Sequence, residues 1–301
     1  MLYLKNFFLY FCKAIQILNM GNKRILYVSQ EISPYTKENK RSNFCMSLPQ
    51  FVQENDNDIR IFMPKFGTIN ERRHQLHEVI RLSGMNLIID DFDHQLIIKV
   101  ASVQQSRMQV YFIDNEEYFP KRHYLNDQEG NFMQNNDERM MFFCKGVIET
   151  VKKLGWAPDI IHCNGWFSAL VPMYIKKLYS KDPMFSNTKI YYTVFDNPFK
   201  GDLNNSLSEK LLFEDLQDKD VEMIGKPTFD NLNKFAISYS DAVVQGSKKL
   251  SKNLLNFIKN NNIPVLVKTD DDNFEEQCLS FYDNTEKTKK TKKNKQLVEV
   301  V

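Results

Sequence analysis

Three cations, Lys37, Lys40 and Arg41, fall in one polar loop between an apolar run and an amphipathic stretch. The apolar run, Ile25-Leu26-Tyr27-Val28, has the β-branched and aromatic bias of a buried strand. The loop extends from Ser29 to Ser42 and holds Pro34. Asn43 is a good helix N-cap. Behind it, Phe44, Met46, Leu48, Phe51 and Val52 predict a helix running on to Pro49 and beyond. Strand, loop and helix N-terminus is the geometry with which α/β folds hold anions. The unpaired N–H groups and the helix dipole point into the crevice at the strand's carboxyl end. The loop lacks the glycines that let a backbone approach phosphate oxygens closely. An ordinary first βα unit with a polar loop fits the same residues, so both readings stand.

A second group with chemical potential is Asp159-Ile-Ile-His162, a predicted strand ending in a histidine. Doubly wound sheets gather their ligands at such ends. A buried, satisfied histidine is the plainer alternative. His74, His77, His94 and His123 have no metal-ligand spacing with carboxylates, and no metal site is predicted. No nucleophile–base constellation is visible.

The elements that must position these groups alternate along the chain. Asp58–Pro64 reads as a second strand. Leu87–Ile89 and Leu96–Val100 read as short strands of an inserted hairpin or meander. Val110–Ile113 is a strand opening into a long polar loop, Asp114–Asn136, of the kind that is functional or mobile. Asn136 or Asp137 caps a helix whose apolar residues run from Met140 to Leu154 and which Gly155 ends. Helices are predicted from Ser168 to about Tyr179, Phe229 to Tyr239 and Lys248 to Lys259. Strands are predicted at Lys189–Phe195, Asp241–Gln245 and Ile263–Val267. This alternation predicts an α/β fold with a Rossmann-like, doubly wound, mostly parallel sheet. Residues 20–268 would form that domain. Residues 1–19 read as an unstructured leader or a misplaced start, with an apolar surface anchor as the alternative. Residues 269–301 read as a disordered Lys-rich tail.

Composition narrows the function classes. The chain has 301 residues, 42% of them hydrophobic, ample for a sizeable core. Its net charge is +2, but the residues from Glu286 onward carry six Lys and two Glu, which leaves the rest slightly acidic. A nucleic-acid partner is therefore not expected. Five scattered cysteines without a CxxC pair suit a reducing, cytoplasmic protein rather than a disulfide scaffold. The apolar run near the N-terminus is broken by Lys13 and is too short to span a bilayer, so no membrane association is expected.

Several stretches together resemble the N-terminal domain of the bacterial glycogen synthases and plant starch synthases. That family opens with a strand, then S-E-x-x-P-x-x-K-T-G-G-L, then a helix ending A-L-P. Here Ser29-Gln30-Glu31, Pro34, Lys37 and Ser47-Leu48-Pro49 occupy matching places. Y-F-I-D-N-x-x-Y-F matches Tyr111–Phe119, and E-R-F-A-F-F matches Glu138–Phe143. G-W-x-P-D-I-I-H-x-H-D-W matches Gly155–Trp166, followed by A-L-V-P-x-Y at Ala169–Tyr174. The resemblance covers roughly Lys23 to Phe257. It implies one half of a GT-B glycosyltransferase, two Rossmann-like halves facing a cleft. The implied reaction moves glucose from ADP-glucose to an α-1,4-glucan with retention, without a further cofactor.

The resemblance also implies roles. His162 would be catalytic, bonding the donor glucose. Lys37, with Glu31, Lys40 and Asp196, would lie at the donor. Asn135, Arg139, Asn164 and Trp166 would line the acceptor side of the cleft. Trp166 is a sugar platform or core, and core is the plainer reading. A surface salt bridge and a cap are the plain readings of Arg139 and Asn135. The departures are specific. T-G-G-L is replaced by Glu38-Asn39-Lys40-Arg41, the second His and the Asp of H-x-H-D-W by Asn164 and Gly165, and T-I-H-N by Thr193-Val-Phe-Asp196. The second Rossmann half that the resemblance implies has no counterpart in these 301 residues. The expected partners are therefore an α-glucan, a sugar nucleotide, and a separate C-terminal glycosyltransferase half or a second copy of the chain. Two further readings follow: a non-catalytic glucan-binding or regulatory module, and a half with altered donor specificity.

Overall fold

The computed structural model describes residues 22–103, 106, 108–268 and 273–285. Residues 1–19 lie outside the described residues. The sheet's strands are β1 (Arg24–Ser29), β2 (Asp58–Pro64), β3 (His77–Glu78), β4 (Met85–Ile89), β5 (Phe92–Ser102), β6 (Gln109–Asp114), β7 (Ile160–Asn164), β8 (Lys189–Val194), β9 (Ala242–Gln245) and β10 (Val265–Leu266). They lie in the order β10-β9-β8-β7-β1-β2-β6-β5-β3, with β4 paired to β5. From β10 to β6 every pairing is parallel, while β5 runs antiparallel to β6, β3 and β4. The inserted meander is therefore an antiparallel extension of one edge. The central parallel strands β1, β7, β8 and β9 are buried on both faces, and their near-continuous apolar runs follow from that.

The strand order reverses at β1. The chain steps to β2 on one side through α1 (Lys40–Glu54). It returns to β7 through α2 (Asn136–Leu154), then moves outward through α3 (Val171–Lys177), α4 (Leu207–Leu212), α5 (Asp218–Val221), α6 (Phe229–Ser238) and α7 (Lys252–Asn260). The crevice of a doubly wound sheet opens at such a switch point, here between the carboxyl ends of β1 and β7.

Two expectations need correction. The first helix starts at Lys40, not after Asn43, because Asn39 is the residue that caps it. The range 269–301 is not tail throughout, because residues 274–285 are helical. Phe274, Cys278, Leu279 and Tyr282 of that stretch are buried. It covers the face of β1, β7 and β8 on which Tyr27, His162 and Tyr191 form a cross-strand row. A central strand buried on both faces needs this second layer. Lys23 pairs with Asp283, and Glu275 accepts from Ser47 Oγ at 2.6 Å.

Candidate functional site

Loops from five strands converge at the carboxyl edge of the sheet. The Gln30 N–H donates to the carbonyl of Asn164 at 3.4 Å, joining the loops after β1 and β7. The Gly165 N–H donates to the Thr193 carbonyl at 3.1 Å, and the Gly246 N–H to the Val194 carbonyl at 2.9 Å. The Asp196 N–H donates to Ser247 Oγ at 2.9 Å. Gln30 Nε2 reaches Tyr124 Oη at 3.4 Å, which brings in the long loop after β6. Gly246 fits because a Cβ there would stand 2.4 Å from the Phe195 ring. Gly165 has φ +81°, a conformation open to glycine and strained for the aspartate of the family motif.

The first turn of α1 is already occupied. Asn39 Oδ1 accepts from the N–H groups of Arg41 at 2.8 Å and Ser42 at 3.1 Å. The Asn39 N–H donates to Ser42 Oγ at 2.9 Å, completing a capping box. Asn39 Nδ2 donates to Glu31 Oε2 at 2.8 Å, and Arg41 Nε donates to Glu31 Oε1 at 2.6 Å. A buried carboxylate and a capping amide thus stand where a diphosphate would meet the helix N-terminus. Glu31 is held by protein donors, and as an acceptor it would repel a phosphate. Lys37 and Lys40 are exposed and remain as point charges at the mouth of the loop.

His162 lies in the interior of β7 and is fully buried. Its Nδ1 is 2.5 Å from Tyr282 Oη, and its Nε2 is 2.5 Å from Thr193 Oγ1. Burial pushes its pKa down to about 3, so the ring is neutral. Its Nδ1 meets the 274–285 helix through Tyr282 and its Nε2 meets β8 through Thr193, so both ring nitrogens are engaged. Of the strand's polar residues, Asn164 is the one that ends it. Asn164 Nδ2 donates to Ser29 Oγ at 3.2 Å, and its buried Oδ1 finds no donor among the described residues.

The acceptor-side residues separate into two kinds. Arg139 is fully buried, not a surface ion pair and not cleft-lining. It donates to the carbonyls of Tyr118 and Tyr124, both at 2.6 Å, and its guanidinium lies over the rings of Phe66 and Phe119. It pins the loop 115–135 to the body, and burial lowers its pKa to about 10. Trp166 is 1% exposed, beneath Phe199 and Phe132. It is core, as the plainer reading has it. Asn135 is half-buried at the start of α2 and makes no side-chain cap. Asp196 is exposed on the loop after β8. Among the described residues no group of three or more His, Cys, Asp or Glu could hold a metal ion.

The structure thus brings together the loops of Lys37, Asn164 and Asp196 at one edge, and withdraws the side chains of His162, Arg139 and Trp166 into the interior. Gln30, Tyr124 and Gly246 also build the edge, and none of them is among the individual residues to which the resemblance gives a role. Only the glycine, in a strand-to-helix turn, carried a readable signal. Among the described residues no helix is long and apolar enough to cross a membrane.

Comparisons with known proteins give the family and the fold of this domain. A family model described as the starch synthase catalytic domain matches residues 24–267. The glycogen synthase of Chlorobium limicola is 39% identical over 196 residues, which cover 65% of this chain and 40% of that protein. That of Chlorobium phaeobacteroides is 36% identical over 231 residues, covering 74% and 47%. The catalytic domain of starch synthase IV from Arabidopsis thaliana, solved bound to ADP and acarbose, superposes with a TM-score of 0.66 at 18% identity, covering 84% of this chain and 53% of that one. This likeness shows a shared fold, the Rossmann-like half of a GT-B glycosyltransferase. The chain spans about half the length or less of the curated relatives it matches. With the strand order, the switch-point crevice and the match over residues 24–267 in agreement, the chain belongs to the starch synthase catalytic domain family.

Proposed function

We propose that this chain is one wall of a glycogen or starch synthase-type cleft, incomplete as a glucosyltransferase by itself. The complete cleft would transfer glucose from ADP-glucose to the end of an α-1,4-glucan with retention. A second Rossmann half, outside these residues, would supply most of the nucleotide contacts. The observation that supports this most is the convergence of the loops after β1, β6, β7, β8 and β9 at one sheet edge in a member of this family. Lys37 and Lys40 would neutralise part of the leaving diphosphate, and Asp196 and Asn164 would face the donor and acceptor sugars. His162 would act through its backbone position in β7, since its ring is engaged elsewhere. Catalysis needs donor and acceptor held between two walls, and orientation is worth roughly 7–11 kcal/mol of barrier. A second copy of the chain repeats the same wall and supplies the missing one less well. The buried free thiols of Cys45, Cys144, Cys163 and Cys278 suit a reducing, cytoplasmic location.

The test is incorporation of labelled glucose from ADP-glucose into glycogen. The chain is assayed alone and after addition of the second half of a relative such as the Chlorobium limicola enzyme. No incorporation alone and restored incorporation on addition are expected. Turnover by the chain alone near the common enzyme range, about 1–1,000 per second, would refute its incompleteness.

One observation favours a second reading, a glucan-binding module without transfer. The self-capped first turn of α1, with Glu31 held against Arg41 and Asn39, leaves few free donors for a diphosphate. Under that reading no added half restores turnover, while maltooligosaccharides still bind.

A further inference from the structure

The aromatic residue expected to meet sugar, Trp166, is buried, yet two other rings lie over it at the sheet's carboxyl edge. Phe132 and Phe199 are stacked on each other, with ring centroids 5.3 Å apart and planes 14° from parallel. Both are half-buried, so the pair presents ring surface outward. Phe199 meets Trp166 edge-on at 4.8 Å and Phe229 at 5.7 Å. The pair therefore rests on a rigid aromatic base.

The chain holds Phe132 there by a small hairpin. Asn126 and Phe132 form an antiparallel bridge, the Met133 N–H donates to the Leu125 carbonyl at 3.0 Å, and the Asp127 N–H to the Asn131 carbonyl at 2.9 Å. Gly130, with φ +89°, turns the tip. Asn136 Nδ2 ties the hairpin's base to α2 by donating to the Leu125 carbonyl at 2.8 Å. Phe199 comes from the loop after β8, so the pair joins two of the loops that frame the crevice.

We propose that Phe132 and Phe199 form a stacking platform for a glucan ring; this rests on the glucan reading given above. A pyranose carries an apolar face of C–H bonds, and the negative π-face of an aromatic ring attracts their positive hydrogens. The neighbouring loops supply neutral amides for the hydroxyls. Buried acceptor oxygens of Gln30, Asn164 and Asn197 have no donor among the described residues. Gln30 and Asn164 are 3% and 1% exposed. Asn164 stands two residues before the Trp166 base, and Gln30 Oε1 lies 3.5 Å from where a Cβ on Gly165 would be. Unpaired amide acceptors on the loops that meet at this edge match a neutral polyol better than an anion.

The test uses the full chain with maltoheptaose as the probe. Affinity is measured by calorimetry for the natural sequence, Phe132→Ala, Phe132→Leu and Phe199→Leu, each checked by its thermal midpoint. The chain has two tryptophans, so in a Trp156→Phe background the fluorescence reports Trp166 alone. The expected result is a maltoheptaose-dependent change in Trp166 emission. Affinity should weaken by about tenfold in Phe132→Ala and in Phe199→Leu, the scale of one aromatic contact. Phe132→Leu should weaken binding while leaving the midpoint unchanged, which separates loss of the ring from loss of fold. Binding that is equal in all variants and silent in Trp166 emission would overturn the platform and leave the glucan reading standing. Absence of binding by the natural sequence would overturn both.

Discussion

Lowering the pH should unfasten the 274–285 helix through His162. The imidazole is fully buried, its pKa pushed down to about 3 from the ordinary 6.5. Unfolded, the same ring protonates near its ordinary value, so the unfolded chain binds more protons at mildly acidic pH. Stability from this group is therefore complete above pH 6.5. It falls as the pH drops toward about 3, with no further loss below that. At pH 5 the loss is about 2 kcal/mol and at pH 4 about 3 kcal/mol, at 1.36 kcal/mol per unit. Such a loss is a large fraction of a typical domain's stability. Tyr282 and Thr193 are the groups that meet the ring directly, Tyr27 and Tyr191 flank it, and none of them is a carboxylate that could hold a proton on it. The assay is urea unfolding at pH 7.5, 6, 5 and 4 for the natural chain and for His162→Gln. Other groups oppose the trend, because burial raises the pKa of Asp114, Asp137 and Glu214. The difference between the two chains is therefore the quantity to read. The natural chain should lose its advantage over His162→Gln between pH 6.5 and 4. Parallel pH profiles for the two would show that His162 is not buried neutral beneath Tyr282.

Two other consequences follow from the packing. Arg139→Met removes the donors to the carbonyls of Tyr118 and Tyr124 while keeping bulk over Phe66 and Phe119. A loss of roughly 1–3 kcal/mol for each acceptor left unpaired should appear as faster limited proteolysis within residues 115–135, with the body resistant. Asn39→Ala removes the N-cap of α1 and one ligand of Glu31. Thermal denaturation should show a cost of about 1 kcal/mol, and unchanged stability would show that Asn39 does not cap the helix.

The order of strands and helices was legible in the sequence because apolar period and turn residues are local properties. Ile25–Val28, Asp159–His162 and Lys189–Phe195 read as buried strands from their own composition, and the family followed from motifs strung along them. The 274–285 helix was also written in the chain. Phe274, Cys278, Leu279, Phe281 and Tyr282 recur at helical spacing, but flanking acidic and Lys-rich residues masked the pattern. What the sequence did not determine was which side of an element each polar residue meets. His162 and Asn164 lie two residues apart in one strand and share a face. Whether that face opens to the crevice or closes under Tyr282 depends on a segment about 120 residues away in sequence. The same holds at α1. A loop with three cations reads as an anion site until Glu31, ten residues before Arg41, folds back to pair with that arginine. Local pattern selects the elements. Which charges are already paired, and which rings are already covered, depends on contacts between residues far apart in sequence, and those exist only once the sheet has assembled.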